Sequence, residues 1–161
     1  MRNDRIIEKE IRINAASKIV FNALISPSLI KQWWYVNSAI VIPQKNGVYA
    51  LTWGDSLDNP DFITVSRLTE FDFGKKLVMT NESYYSPHGG LPFDSLLVAT
   101  FTLLQGQDST VLKILQEGIP KAPIADQFYE DTVKGWETTL KSLKNVVEDE
   151  AKSVAHILDA E

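Results

Sequence analysis

The segment 122–147 constrains the fold most, because it is the one long stretch whose apolar residues recur at helical spacing. Its apolar stripe consists of Trp136, Leu140, Leu143 and Val147. On the opposite side, Glu130 and Glu137 each precede a lysine by four residues, a pairing that favours an exposed helix face. A helix over these residues would be about 39 Å long and could cross a small domain. A sheet is therefore its natural partner.

Two residues of this segment carry local information. Pro123 suits the first position of a helix, where a missing N–H costs nothing. Gly135 is unusual, since glycine inside a helix costs about 1 kcal/mol relative to alanine. Because Gly135 lies next to Trp136 in the stripe, we expect it to let another backbone approach the helix closely.

The chain before this helix is predicted to be mostly strands. Residues 7–13 alternate apolar and charged side chains, as a half-buried strand does. Two short helices should follow, one over 18–25 with Ser17 as N-cap and one from Pro27 to the Trp33-Trp34 pair. Six more strands are predicted, over 36–42, 48–53, 62–71, 76–81, 96–104 and 110–116. Short turns between them indicate an antiparallel sheet.

This order predicts an α+β fold in which a curved antiparallel sheet wraps around one long C-terminal helix, with two short helices after the first strand. A chain of 161 residues fits one domain, which we place at 1–150, with 151–161 as a helix extension or tail. In the last strand, Lys113 and Glu117 share a face that we expect to meet solvent.

Composition excludes several functional classes. The chain has no cysteine, so it has no disulfide or thiolate nucleophile, and a reducing compartment such as the cytoplasm fits. A net charge of −5 with scattered lysines argues against nucleic acid as a partner. The first ten residues lack the apolar core of a signal peptide, and no run approaches the roughly 18 apolar residues of a membrane span. We expect a cytoplasmic protein with no membrane partner.

Several short motifs, taken in order, resemble a known family. They are AASKIVF at 15–21, the Trp33-Trp34 pair, GVY at 47–49, SRLTEF at 66–71 followed by KLV at 76–78, STV at 109–111 with Glu117-Gly118, and Gly135-Trp136. Together they resemble the START-related, birch-pollen-allergen-like (SRPBCC) superfamily, and within it homologues of the activator of the ninety-kilodalton heat-shock chaperone's ATPase. Two departures, Ser66 for a frequent glycine and Phe73-Gly74 for a frequent proline pair, put only a hairpin's edge geometry in doubt.

The resemblance implies a helix-grip domain with a hydrophobic cavity between helix and sheet. It implies no catalytic constellation, because members range from lipid carriers to cyclases to co-chaperones. Our lead hypothesis is binding of a small hydrophobic molecule, whether a lipid, a polyketide or an aromatic compound. One alternative is a chaperone-regulating or other protein-interaction module, including a homodimer. The other is a cyclase- or hydrolase-type enzyme that uses the same cavity. We expect no cofactor.

Aromatic side chains are the first candidates for ligand contact, because small-molecule pockets have apolar walls with a few polar groups. The predicted ligand-binding residues are Trp33, Tyr49, Trp53, Phe101, Phe128 and Trp136. Tyr49, Phe101 and Trp136 are favoured because each occupies a face that should point between helix and sheet. The alternative is that these rings simply fill the core.

The segment 84–94 is predicted to be a loop, since it holds two prolines and two adjacent glycines. As a lid over the cavity it would use Tyr85, His88, Gly89, Gly90 and Phe93. The alternative is an ordinary long connection.

We assign no catalytic residue and no metal ligand. The chain has two histidines, His88 and His156, and no nucleophile-elbow motif. An acid–base role for Glu70 would require this residue to face inward. The aspartates at 55, 58 and 61 lack the calcium-loop pattern and suit a solvated turn.

Overall fold

The computed structural model describes the backbone of residues 4–160 and the side chains of residues 4–155. Seven strands form one sheet: β1 (Asp4–Ile13), β2 (Ser38–Val41), β3 (Val48–Trp53), β4 (Phe62–Asp72), β5 (Lys76–Tyr85), β6 (Val98–Gln105) and β7 (Thr110–Pro120). Three α-helices complete the fold: α1 (Ser17–Ile25), α2 (Pro27–Trp33) and α3 (Asp126–Ala160). The predicted α+β fold and element order are confirmed.

All neighbouring strands are antiparallel, and the sheet order is β1-β7-β6-β5-β4-β3-β2. Three register shifts interrupt the ladders, one in the β1–β7 pair and two in the β4–β5 pair. Bulges of this kind bend a strand and increase its twist. The sheet therefore curves around α3 rather than lying flat beneath it.

The core lies between the concave face of the sheet, the two short helices and part of α3. Leu77 in β5 and Leu112 in β7 are fully buried on that face. The wedge of α1 and α2 contributes Phe21 and Ile30, each with no exposed surface. The predicted stripe of α3 is also buried, with Leu143 and Val147 at 0% exposure.

Helix α3 differs from its predicted bounds at both ends. A 3-10 turn, Pro123–Ala125, precedes it, so Pro123 begins this turn and the α-helix starts at Asp126. At the other end α3 continues to Ala160, so residues 148–160 prolong the helix. Among the described residues, no helix is both long and apolar enough to cross a membrane; α3 carries charged side chains throughout its 35 residues.

Two other local predictions are wrong. Ser17 is the first helical residue of α1 rather than its N-cap, a position that Ala16 occupies without a side-chain hydrogen bond. The Ser17 N–H instead donates to Gln105 Oε1 at 2.6 Å. Tyr84 and Tyr85 belong to β5 and not to the following loop, because β5 keeps pairing with β4 as far as Ile63 opposite Tyr85.

Candidate ligand-binding site

A cavity of about 670 Å³ lies between the first half of α3 and the concave face of the sheet. Its walls come from α2's end, from β3 to β7 and from α3: Trp34, Trp53, Phe62, Thr64, Ser66, Met79, Asn81, Tyr84, Leu97, Ala99, Gln116, Phe128, Asp131, Thr132, Gly135, Trp136 and Thr139. The volume falls within the range of about 300–1,000 Å³ that is typical of small-molecule sites.

Gly135 contributes to this space by what it lacks. A Cβ built on Gly135 would meet no atom within 4 Å. The expected close approach of another backbone is therefore wrong. The reason is that Gly135 lies on the cavity wall, whereas the neighbouring Trp136 contacts Phe101 and Gln116 of the sheet, so the missing side chain leaves room at Gly135 alone.

Trp34 is the centre of the main aromatic group. Its ring stacks on Trp33 with centroids 4.9 Å apart, and it lies 6.0 Å from Trp53 and 5.5 Å from Trp136. Trp53 Nε1 donates to the Trp34 backbone carbonyl at 3.0 Å, which ties the Trp53 ring to the end of α2. These contacts hold a rigid aromatic wall in place.

A second aromatic group surrounds Phe128 near the start of α3. The Phe128 ring lies edge to face with Tyr84 at 5.9 Å and with Phe93 at 5.2 Å. Burial and then the carboxylate of Asp131 raise the pKa of Tyr84, so its hydroxyl stays protonated at neutral pH. Tyr84 is thus a neutral polar group within an apolar wall.

Two amides supply further polarity. Gln116 lies on the buried face of β7, with Nε2 donating to the carbonyls of Val98 at 3.3 Å and Glu117 at 3.2 Å. Asn81 Nδ2 donates to the carbonyls of Val65 at 3.4 Å and Ser83 at 3.1 Å. Both side chains are thereby held by sheet backbone.

The predicted ligand residues divide into two sets. Trp53, Phe128 and Trp136 line the cavity, and their contact with a ligand stays a prediction. Trp33, Tyr49 and Phe101 do not line it and are almost fully buried, at 0%, 2% and 1% exposure.

Hydrogen bonds and packing explain why those three rings lie in the core. Trp33 Nε1 donates to the Ala23 carbonyl at 2.8 Å, and the Tyr49 hydroxyl donates to the Leu24 carbonyl at 2.7 Å. Both therefore anchor to the end of α1, and burial raises the pKa of Tyr49. Phe101 packs edge to face on Trp136, with centroids 5.8 Å apart, so it supports the wall from behind.

The predicted ligand contacts include three wall residues and leave out the others, among them Trp34, Gln116 and Asn81. Trp34 could not be separated from Trp33, because a helix of seven residues gives too little periodicity. Gln116 could have been found from strand alternation. It lies an even number of residues from the buried Leu112 and an odd number from the exposed Lys113, so it points to the buried side of β7. Asn81 follows the same alternation from the buried Met79 in β5.

The predicted gating segment proves to be a tight turn followed by a returning chain. Ser86 and Gly89 exchange two backbone hydrogen bonds of 2.7 and 3.0 Å, and Gly89 has a φ of 103°. His88, Gly89 and Gly90 are exposed and do not line the cavity, and Tyr85 is half-exposed on β5. Phe93 is the predicted lid residue that reaches the cavity's aromatic group. Movement of this segment as a gate stays a prediction.

The residues considered for catalysis do not meet at the cavity. The Glu70 side chain is 52% exposed and pairs with Lys76 at 3.1 Å, so it does not take the inward position that acid–base chemistry would require. His88 is exposed in the turn, and His156 lies outside the described side chains. Within residues 4–155, no group of three His, Asp or Glu side chains could hold a metal ion.

The sequence matches the profile of the family described as Activator of Hsp90 ATPase homolog 1-like protein over residues 14–148, most of the chain. The chain belongs to this family. The match covers all the elements that form the cavity, from the end of β1 into α3. A search of curated proteins finds no match.

Solved structures with the same fold also align with most of the chain. Protein MLL2253 from Mesorhizobium loti is 21% identical, with a TM-score of 0.71, covering 90% of this chain and 98% of its own. A protein from Rhizobium leguminosarum is 14% identical, with a TM-score of 0.74 and coverage of 91% and 95%.

DynU16, encoded in the dynemicin biosynthetic locus, is also similar. It is 14% identical, with a TM-score of 0.69, and the alignment covers 91% of this chain. This chain spans 48% of DynU16, about half its length. Because all three structures are less than 25% identical to this chain, their similarity shows that the chain has the same fold and shows nothing about its function.

Proposed function

We propose that this protein binds a small, largely hydrophobic molecule in the cavity between α3 and the sheet. The observation that carries the proposal is an aromatic-walled space of about 670 Å³ inside a domain whose buried apolar side chains form one core cluster. Protein interiors are normally close-packed, so an open apolar space of this size needs a reason. Occupancy by a ligand supplies that reason.

The wall can support useful affinity. A ligand that loses about 300 Å² of apolar surface gains about 7 kcal/mol before the cost of its lost freedom is subtracted. Ring contacts with Trp34, Trp53 and Trp136 add to this because offset and edge-to-face pairs are favourable. After a cost of at least about 4 kcal/mol for the ligand's lost freedom, about −5 to −8 kcal/mol remains, so we expect dissociation constants between a few hundred micromolar and about one micromolar.

Two further observations support the assignment. DynU16, which has the same fold, is encoded in the dynemicin biosynthetic locus. Phe93 lies in the segment after the tight turn, and its ring centroid is 5.2 Å from that of Phe128. Displacement of this segment would therefore uncover the second aromatic group of the cavity. The proposal therefore includes gating of the cavity by residues 86–94.

We also propose a cytoplasmic location, because a chain without cysteine fits a reducing compartment.

A cavity-filling variant tests the proposal. Gly135→Phe places a large ring on the wall, while Thr138→Phe adds the same ring at an exposed position of α3 outside the wall. The probe is 6-propionyl-2-(dimethylamino)naphthalene, a neutral dye whose emission reports apolar surroundings. We expect saturable binding by the wild type and by Thr138→Phe, and at least tenfold weaker binding by Gly135→Phe. Equal affinity in all three proteins would contradict the proposal.

A second function is favoured by the family match itself. The description of the family names an activator of the Hsp90 ATPase, so we also propose a chaperone-regulating interaction. The exposed charges on the sheet are mixed in sign, as in the pairs Arg67–Glu82 at 2.7 Å and Lys113–Glu10 at 3.8 Å. ATP hydrolysis by a purified Hsp90 should rise when this protein is added. An unchanged rate, with no association in a pull-down, would remove this candidate.

A further inference from the structure

We propose that the ligand is an uncharged aromatic molecule that donates hydrogen bonds, such as a phenol or a hydroxylated polycycle, and not a carboxylate. This inference rests on the proposed function and specifies the chemistry of the same cavity. It follows from the orientation of two wall amides and from the charges around them.

The orientation of the Gln116 amide is fixed by its neighbours. Its Nε2 faces the carbonyls of Val98 and Glu117, which can only accept hydrogen bonds. Its Oε1 faces Trp136 Nε1 at 3.4 Å, and an indole N–H can only donate. A flipped amide would set acceptors against acceptors. Gln116, 7% exposed, thus presents an oxygen that accepts one long bond and has a second lone pair available.

The Asn81 amide is fixed by the same reasoning. Its Nδ2 donates to the carbonyls of Val65 and Ser83, so both amide hydrogens are engaged. No donor among the described residues bonds Asn81 Oδ1. This oxygen is therefore an acceptor without a protein partner, on a residue that lines the cavity. A ligand O–H or N–H is the group it would accept from.

The charges on the wall point the same way. Asp131 supplies a carboxylate, and no Lys, Arg or His lines the cavity in the described part of the chain. The wall hydroxyls can serve as donor or acceptor; they belong to Thr64, Ser66, Tyr84, Thr132 and Thr139. Trp34 Nε1 can only donate and could bond one ligand oxygen, such as that of a phenol, so the preference rests on the two amide oxygens. An anion would lose its water without gaining a cation, which is strongly unfavourable. A neutral donor satisfies the amide oxygens at no such cost.

A matched series of biphenyls tests the inference by isothermal titration calorimetry. The compounds are 4,4′-dihydroxybiphenyl, which donates, its dimethyl ether, which only accepts, and biphenyl-4,4′-dicarboxylate, an anion at neutral pH. We expect the diol to bind at least tenfold more tightly than the ether, and the dicarboxylate at least a hundredfold more weakly than the diol.

Two variants connect the preference to the amides. In Asn81→Leu and Gln116→Met the ratio of diol to ether affinity should fall toward one, whereas the control Thr138→Ala, at an exposed position outside the wall, should keep the wild-type ratio. An ether or dicarboxylate that binds the wild type as tightly as the diol would overturn the inference and leave hydrophobic binding standing. Unchanged ratios in both variants would also overturn it. Absence of binding by all three compounds would overturn the proposed function as well.

Discussion

The two halves of the described part of α3 perform different tasks on the same sheet. In the closed half, from Leu140 to Glu148, Leu143 and Val147 are fully buried and pack solidly. In the open half, from Phe128 to Thr139, the helix forms the wall of a cavity of about 670 Å³. The open half carries Thr132 and Gly135 on that wall, where the closed half has aliphatic side chains. Small side chains on a helix over a curved sheet therefore leave a cavity.

Ion pairs hold the open half in position despite the space beneath it. Lys9 Nζ bonds Glu137 Oε1 at 2.8 Å, Arg5 pairs with Asp126, and the Arg5 guanidinium lies over the Tyr129 ring at 5.1 Å. All these contacts join α3 to the edge strand β1. The helix is thus tied along one side to β1, while on its cavity side, among the described residues, only Trp136 and Phe128 reach across to other aromatic rings. The closed half has its own ties, from Lys144 to the Arg12 carbonyl at 2.8 Å and from the Asn14 N–H to Glu148.

The largest effect should come from the closed half. Leu143→Ala removes a fully buried side chain where neighbours surround it, so we expect the free energy of unfolding to fall by about 3 kcal/mol. Urea denaturation measures this, and the exposed Thr138→Ala is the control. A loss below about 1 kcal/mol would show that the closed half is not solidly packed.

In the open half, Phe128→Ala should separate stability from binding. Phe128 is partly exposed and borders the cavity, so its truncation should cost stability only about 1–2 kcal/mol. Binding of the neutral naphthalene dye should weaken about tenfold, because Tyr84 and Phe93 lose their shared ring. If stability falls as far as in Leu143→Ala while dye binding is unchanged, the distinction between the halves is wrong.

Gly135→Ala should stabilise the protein. Its added Cβ meets no atom within 4 Å, and alanine favours a helix over glycine by about 1 kcal/mol. We therefore expect a thermal unfolding midpoint a few degrees higher, with most of the cavity retained. A lower midpoint would reveal a close contact at Gly135 and contradict the open wall.

The smallest effect concerns the pH dependence of stability that arises from the hydrogen bonds of Glu148 to Lys144 and Asn14. At Glu148, burial works to raise the carboxyl pKa, but hydrogen bonds from Lys144 and the Asn14 N–H outweigh it, and the pKa is lowered from its ordinary 4.5. A lowered folded-state pKa stabilises the protein above pH 4.5, and this contribution is lost as pH falls through the lowered value. The thermal unfolding midpoint of the wild type should be higher than that of Glu148→Gln at pH 7, and the two midpoints should be equal near pH 2. A difference that persists at pH 2 would contradict this assignment.

The comparison of the two halves also shows what sequence could predict. The spacing of Trp136, Leu140 and Leu143 correctly predicted the buried face of α3, because periodicity reports which side of a helix turns inward. It could not predict whether the sheet touches that face, since contact depends on bulges such as that between Leu68 and Glu70. The sequence therefore predicts a close backbone approach at Gly135, where the structure has open space.

The same limit applies to the aromatic rings. Tyr49 and Phe101 are buried, but Tyr49 bonds the Leu24 carbonyl in α1 and Phe101 lies behind Trp136, so neither lines the cavity. Strand alternation predicts which face of the sheet a side chain points to, but it does not predict whether that side chain reaches the cavity or stays in the core. The polar wall residues Gln116 and Asn81 were accessible to the same alternation, because each follows a buried apolar residue by two positions.

The most direct test of the account is an NMR titration of ¹⁵N-labelled protein with 4,4′-dihydroxybiphenyl. The account predicts that amide shifts change in the open half of α3 and at the strand residues around Asn81 and Gln116. Amides of 140–147 should change little, because that half has no space for a ligand. Saturable changes concentrated in 140–147 or on the outer face of the sheet, with none around the cavity, would contradict the central claim.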